Sequence, residues 1–380
     1  MKRNAKAKIV MLVVFALSAL SLPSASMRQV RTTGVLGCKA PFTKCVSIST
    51  EPVPQPGAGE ILVKIASSSV NPSDVDTVEL GGCKKGCGAD FAGTVAACAP
   101  GGCGRLQVGD KVWGVSRPAF ADFVTTSESQ ASLRPPSSCI SAAAAATLPE
   151  VGLTSLNALK RTIGSVADPM PVGNPWENLT ATNKNLTVVI TSGGGGTGSL
   201  AIQLAKAWGA VNIWTAASGD TAIAYVKSLG ATRVFDYKEV DIFDAVADDS
   251  VDIVYDNYGG TGTPAKAMKA LRTGGSYLLV PHGACYISKV QNYPCLALKP
   301  KPGVRQLNYD TGPDFQQYSV QGLDEIASMV KAQQIVPHID RTFALSDSAL
   351  AFNYSAGPGG GGVGDNIGKI SIAVSAGPNA

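Results

Sequence analysis

The sequence predicts an α/β protein in which a doubly wound parallel sheet is joined to a second, β-rich part, and three observations predict it. The stretch from Leu186 to Ala210 opens on Val188, Val189 and Ile190, breaks into glycines and resumes as an amphipathic helix, the pattern of a buried parallel strand, a tight turn and a helix. Alternation then continues: Val211 to Ala216 reads as a second strand, a helix ends at Gly230, Arg233 to Asp236 begins a third strand and Val251 to Tyr255 a fourth, as successive βαβ units require. From Met27 to about Leu148, by contrast, short alternating runs are cut by many Gly and Pro residues, which is the composition of a partly antiparallel sheet.

Inside the turn, Gly193, Gly195 and Gly198 fit G-x-G-x-x-G, with Gly194, Gly196 and Thr197 between them. The first glycine permits the bend, the second admits a pyrophosphate close to the backbone, and the third packs helix on strand. The N–H groups at the helix start then favour an anion. A glycine run is also the ordinary make-up of a flexible turn, and it is the framing strand and helix that point to dinucleotide binding.

In the β-rich part, Glu60 to Ser67, Asp110 to Gly114 and Ala121 to Thr125 alternate as strands. The run Ala142 to Ala146, with Leu148 and Pro149 after it, predicts a helix leading into the nucleotide-binding part. Ser165 to Asn185, rich in Pro, Gly and Asn, reads as an exposed loop, and Gly357 to Gly364 as a flexible crossing.

A chain of 380 residues accommodates two domains. Of its 32 basic residues, Lys2, Arg3, Lys6 and Lys8 lie at the extreme N-terminus, leaving 28 against 28 acidic ones. A body so balanced carries no electrostatic footprint for nucleic acid. The four charges precede an apolar run, Ile9 to Leu22, that ends near Ser24-Ala25-Ser26. This has the form of a signal peptide over residues 1–26, a membrane anchor being the alternative; after its removal no stable membrane span is expected. The expected destination is the secretory pathway or the cell exterior, or an organelle reached through that pathway.

Asn178-Leu179-Thr180, Asn185-Leu186-Thr187 and Asn353-Tyr354-Ser355 are glycosylation acceptors. The nine cysteines fall into neighbours, Cys38 with Cys45, Cys83 with Cys87, Cys98 with Cys103 and Cys285 with Cys295, leaving Cys139 over. Up to four short-loop disulfides are predicted. Buried free thiols are an alternative, as is a zinc site at Cys83, Cys87, Cys98 and Cys103, although that spacing is not a standard ribbon.

The succession NPSD at Asn71, GADFAGTV at Gly88, VGDKVWG at Val108, AFADFV at Ala119, AAAAATLPEVGLTSLNAL at Ala142, the glycine turn, YVKSLGATRVFDYK at Tyr225 and VDIVYDNYGG at Val251 resembles the zinc-independent quinone oxidoreductases of the medium-chain dehydrogenase/reductase superfamily. So does the tail, with IVPHIDRTFALSDSALAF at Ile335 and IGKISI at Ile367. The resemblance implies a Rossmann nucleotide-binding domain, residues 155–318, inserted in a GroES-like β-rich catalytic domain made of residues 27–154 and 319–380. The active site would lie in the cleft between them.

Where zinc alcohol dehydrogenases of this superfamily carry a metal-binding Cys, this sequence has Asn71, and where they carry a His-Glu pair it has Ala89-Asp90. No metal site is expected, and His282 and His338, the only histidines, read as packed or surface residues. The chemistry implied is hydride transfer to a small-molecule quinone or enone, with the Asn71 amide stabilising negative charge on oxygen and Asp74 orienting that amide. The same Asn-Pro-Ser-Asp string also suits an ordinary turn. A tyrosine common shortly after this motif in the family is absent from Val75 to Leu80, so the proton source is unassigned.

The second strand ends in Thr215-Ala216-Ala217-Ser218, with no acid to receive the ribose hydroxyls of NAD, which favours NADPH over NADH. The resemblance places Ser218 and Tyr237 beside the 2′-phosphate; Asp220 nearby works against it, and Ala222 stands where some relatives have lysine. It also places Thr154, Asn257 and Val280 along the nicotinamide or its ribose, while a helix cap and a strand-end turn are the plain structural alternatives for Thr154 and Asn257. An enoyl-thioester reductase, or a secreted nucleotide-binding protein without catalysis, would share much of this pattern. A homodimer is left open.

Overall fold

The computed structural model describes residues 25–33, 37–163, 175–183, 185–260, 262–280, 297, 299–309, 319–357 and 366–375. The segment 1–24, His282, and the pair Cys285 and Cys295 lie outside the described residues, as does most of the glycine-rich crossing.

The chain begins with an antiparallel ribbon, β1 (Ser26–Thr32) and β2 (Val46–Pro52). The β-rich sheet follows: β3 (Glu60–Val70), β4 (Asp90–Cys98), β5 (Lys111–Val115), β6 (Phe123–Ser127) and β7 (Ala131–Leu133). All pair antiparallel. β3 outruns its predicted end by three residues, because the buried hydroxyls of Ser67, Ser68 and Ser69 find acceptors on Ile372 O (2.9 Å), Asp90 O (2.5 Å) and Asp90 Oδ2 (2.6 Å). A polar run is thereby tolerated in a central strand.

Four helices come next: α1 (Pro72–Glu79), directly after β3, then α2 (Ala142–Ala145), α3 (Pro149–Arg161) and α4 (Pro175–Thr182). The last corrects the loop expected over Ser165 to Asn185. Trp176 in α4 is fully buried against Trp208, ring centroids 5.5 Å apart, and its indole N–H donates to Leu159 O at 2.8 Å. One aromatic anchor therefore holds a helix that composition alone reads as irregular.

The parallel sheet is assembled from β8 (Thr187–Ile190), β9 (Asn212–Ala216), β10 (Arg233–Phe235), β11 (Val251–Asp256), β12 (Leu271–Leu279) and β13 (Arg305–Asn308). Between them run α5 (Gly196–Ala207), α6 (Asp220–Leu229), α7 (Ile242–Ala245) and α8 (Thr263–Ala270). Among the described residues the strand order is β10-β9-β8-β11-β12-β13. Numbered from β8 this is 3-2-1-4-5-6, the doubly wound order of the Rossmann fold, and the direction of winding reverses between β8 and β11. The glycine turn thus stands at the switch point, where such sheets bind ligands.

After α9 (Val320–Lys331) the chain returns to the β-rich sheet with β14 (Ile339–Ala344), α10 (Ser348–Ala356) and β15 (Lys369–Ala373). β15 pairs antiparallel with β3, Ile370 opposite Val70, and parallel with β14. Two cysteine pairs are bridged, Cys38–Cys45 and Cys98–Cys103, while Cys139 is free and exposed.

The predicted Cys83–Cys87 bridge is not formed: both thiols are free and buried. Their loop is held on β1 and on the 118–120 segment, since Thr32 N donates to Cys83 O (3.4 Å), Cys87 N to Val30 O (3.0 Å) and Phe120 N to Cys87 O (2.9 Å). These ties fix the backbone with the sulfurs at hydrogen-bond rather than covalent separation, and burial together with the Cys83 thiol pushes the Cys87 thiol well up.

Candidate active site

The glycine turn is built for close approach on one side and is open on the other. A Cβ on Gly193 would fall 2.2 Å from Thr215 Oγ1, and one on Gly198 1.7 Å from Ser192 O. Neither position tolerates a side chain. Around Gly194, by contrast, no atom lies within 4 Å of such a Cβ, and at Gly195 the nearest is 3.6 Å away. Gly195 is the N-cap of α5 and, being glycine, offers no side chain to cap it, which leaves the first N–H groups of the helix for an anion.

Asn257 fastens this turn. Its Oδ1 accepts from Ser192 N (3.0 Å) and Thr191 Oγ1 (3.1 Å), and its Nδ2 donates to Ser192 O (3.1 Å) and Thr197 Oγ1 (3.1 Å). Beside it the buried Asp256 carboxylate accepts from Thr191 Oγ1 (2.9 Å) and the Tyr277 hydroxyl (2.6 Å). Thr154 is buried within α3, inside the helix rather than at its cap, and Val280 follows the end of β12. At the far edge of the cradle the Ser218 hydroxyl donates to Asp236, just past β10, which holds that carboxyl below its ordinary range. Tyr237 next to it is exposed.

The β-rich half meets this turn at Gly368, which lies just before β15 and whose N–H donates to Gly194 O at 2.7 Å. The next residue, Lys369, is 5% exposed, and its stem is what a Cβ on Gly196 would strike, 2.8 Å from Cδ. Its ammonium donates to Val70 O (2.8 Å) and to Asn71 Oδ1, and lies 3.6 Å from Asp90 Oδ2. Lys369 is therefore one of the side chains that join the two halves, a role its place in an apolar strand pattern does not reveal.

Asn71 is buried at the N-cap of α1. Its Nδ2 donates to Asp90 Oδ2 at 2.8 Å while Oδ1 receives Lys369. The amide is thus oriented by Asp90 and Lys369. This corrects the role expected of Asp74, whose Oδ2 accepts the backbone N–H of Asn71 (2.9 Å) instead. The difference is geometric: a residue three positions into the helix reaches the N-cap backbone, as in a capping box, and not the N-cap side chain tip. Burial pushes the Asp74 carboxyl up, against the pull of Arg117 at 3.1 Å.

Glu150, at the start of α3, completes the cluster. Its backbone N–H donates to Asp90 Oδ1 (2.7 Å), its Oε1 accepts from Ser73 Oγ (2.8 Å), and its Oε2 lies 4.0 Å from Arg117 Nη2. Burial pushes its carboxyl up to about 7, with Arg117 opposing and Asp90 and Asp74 reinforcing the shift.

Among the described residues no group of three or more His, Cys, Asp or Glu is placed to hold a metal ion. Zinc does not fit the residues at this point: Asn71 and Ala89 are poor ligands, and the Lys369 ammonium already sits on Asn71 and beside Asp90. A nicotinamide dinucleotide does fit the cradle, with Gly194 to Gly198 and the start of α5 able to hold its diphosphate.

A coenzyme cradle at a sheet switch point, linked by one lysine to a buried polar cluster on a second sheet, defines a nicotinamide-dependent oxidoreductase. Residues 57–146 match the alcohol dehydrogenase GroES-like domain, and residues 196–293 the domain described as zinc-binding dehydrogenase. The chain belongs to the medium-chain dehydrogenase/reductase superfamily and is quinone-oxidoreductase-like. It is similar to the mitochondrial NAD(P)H oxidoreductase RTN4IP1 of Mus musculus, 29% identical over 335 residues, covering 77% of this chain and 78% of that protein. The trans-enoyl reductase ccsC of Aspergillus clavatus is 28% identical over 314 residues, covering 76% and 82%. Among solved structures, the quinone oxidoreductase of Coxiella burnetii superposes with a TM-score of 0.70 at 25% identity, over 92% of this chain and 100% of that one.

Proposed function

We propose that the protein is a zinc-independent, NADPH-dependent reductase of quinones or α,β-unsaturated carbonyl compounds. The observation that carries this is the Asn71 amide, fixed by Asp90 and Lys369 at the seam with the coenzyme cradle. When bound, the coenzyme supplies a hydride to the electrophilic carbon of the acceptor. Negative charge then gathers on the acceptor oxygen, and the protein's part is to receive it. An amide has two N–H donors; Asn71 spends one on Asp90 and keeps the second for that oxygen. The Lys369 ammonium directly behind the amide strengthens the donor.

NADPH is favoured by the absence of an acid on β9, and the Asp236 carboxylate turned onto Ser218 limits how far NADH is rejected. Similarity to a trans-enoyl reductase supports a second acceptor class, enoyl thioesters, for which the same oxyanion donor would serve. Residence in the secretory pathway is supported by the basic-then-apolar N-terminal segment and by the bridged pairs Cys38–Cys45 and Cys98–Cys103.

A panel of quinones, alkenals and enoyl thioesters, followed by loss of nicotinamide absorbance with either coenzyme, tests the proposal. Turnover of quinones or alkenals with a lower KM for NADPH is expected. Coenzyme binding without turnover of any acceptor would leave a binding protein and remove the reductase.

A further inference from the structure

Away from the cluster around Asn71, the β-rich sheet holds a second polar site. Lys64 on β3 stands opposite Thr94 on β4, Thr94 stands opposite Lys111 on β5, and Arg134, just past β7, donates its backbone N–H to Lys111 O at 2.8 Å. One row of side chains thus crosses four adjacent strands. Alternation puts Thr94 and Lys111 on the face that brings Ala92 and Trp113 into the core under α2 and α3. Where α2 begins, Lys64, Thr94, Lys111, Arg134, Ala142 and Ser375 line a cavity of about 180 Å³.

The lining is made of donors. Three cations and two hydroxyls meet there, and among the described residues none of Lys64, Lys111 and Arg134 is paired with an acid. The backbones of β3 and β5, two strands apart, are separated by about 10 Å, so the two lysines are close enough to repel. Even so, Lys111 Nζ donates to Thr94 Oγ1 at 2.8 Å, which turns its ammonium toward β4 and the side of Lys64. Arg134 Nη2 donates to Ser137 Oγ at 3.1 Å, but its Nε is buried without a hydrogen-bond partner. Burial holds that guanidinium below its ordinary range. An unpaired buried donor is costly, the more so on a charged group, and an anion in the cavity removes the cost.

We propose that Lys64, Lys111 and Arg134 form a binding site for a phosphate group, either the free ion or the end of a small phosphomonoester. Charge selects it: a dianion leaves one of three positive charges unanswered, whereas a monocarboxylate leaves two. The donors suit tetrahedral oxygens, since the two ammonium groups and the Arg134 Nε–H are joined by the Thr94 hydroxyl, whose oxygen accepts from Lys111 and whose proton is left to donate. Size limits it. A water takes about 10–15 Å³ of such a cavity, so there is room for a phosphate group and its immediate substituent and not for a dinucleotide. Along β3, Lys64 lies about 20 Å from Asn71, and the site does not depend on the reductase reading.

The glycine turn would also take phosphate, so the test uses the full-length protein with saturating NADP+. Inorganic phosphate and glycerol 3-phosphate are titrated by calorimetry into the wild type, Arg134→Gln, the double variant Lys64→Gln/Lys111→Gln and, as a control, Lys227→Gln, which alters an exposed lysine on α6. Wild type and Lys227→Gln are expected to bind alike, with Arg134→Gln and the double variant weaker by at least about 10-fold, as loss of charge-assisted hydrogen bonds implies. In nitrogen-labelled protein the Arg134 Nε–H resonance should move on titration as that donor gains an acceptor. Phosphate should raise the Tm of the wild type and leave that of the double variant unchanged. The double variant changes exposed side chains only, and keeps the test decisive should Arg134→Gln not fold.

Tighter binding of glycerol 3-phosphate assigns the site to the end of a phosphorylated metabolite, and binding of inorganic phosphate alone assigns it to the free ion. No binding by the wild type up to about 10 mM, or equal binding by the double variant, overturns the site. A protein that fails to take up NADP+ loses the reductase reading, while the same variants still decide whether phosphate sits in this cavity.

Discussion

Under the proposed function, Asp236 bears on coenzyme choice from a neighbouring strand. The acid absent from the end of β9 is supplied from just past β10, through its hydrogen bond with the Ser218 hydroxyl. Negative charge there opposes a 2′-phosphate and occupies the hydroxyl expected to bind it. Asp236→Ala is therefore expected to lower KM for NADPH several-fold and raise KM for NADH, as steady-state titration of each coenzyme would read. An unchanged ratio would detach Ser218 and Asp236 from coenzyme selection. At this same scale lies what the sequence conceals. In IGKISI the lysine stands in an apolar strand pattern that gives no hint that its ammonium ends on Asn71. Glu150 looks like a first-turn acid of α3, and only the meeting of β4, α1 and α3 draws it largely out of solvent.

Among the elements, those with strong period or strong punctuation were legible: β8, the glycine turn and α5 fall where the β-branched run and G-x-G-x-x-G put them. Strand ends were less so, because Ser67 to Ser69 extend β3 through tertiary acceptors that no local pattern contains. α4 was missed for a similar reason. Its stability comes from Trp176 buried between Leu159 and Trp208 and not from helix propensity. Trp176→Ala should cost about 3–5 kcal/mol of unfolding free energy, measurable by denaturant titration. A loss below about 1 kcal/mol would mean the site collapses around the gap. The acceptor triplets fare differently by element: Asn185 is exposed in a turn, whereas Asn353 lies in α10 with its Oδ1 taken by Phe42 N at 2.9 Å.

For the whole molecule, the buried cluster makes stability depend on pH in an unusual sense. The Glu150 carboxyl is raised from 4.5 to about 7, so between those values the folded chain holds a proton that the unfolded chain releases. Its contribution is complete below about pH 4.5 and is lost as pH rises through about 7. At most about 3.5 kcal/mol is at stake, the shift from 4.5 to about 7 converted at about 1.4 kcal/mol per unit. Glu150→Gln, which keeps the shape without the charge, is expected to raise Tm at pH 8 relative to wild type and to narrow the gap at pH 5; calorimetry at the two pH values would detect it. Equal pH dependence in both proteins would place the titrating group elsewhere.

The course of β15 also bears on how the protein comes into being. Gly368 and Lys369 lie at the start of the last strand to be synthesised of those described, yet they touch the phosphate turn and the Asn71 amide, which are made long before. A nascent chain can fold its parallel sheet while still on the ribosome, but it cannot join cradle to cluster. Under the proposed function, a partly translated molecule is expected to be silent until the last of the described strands is laid beside β3.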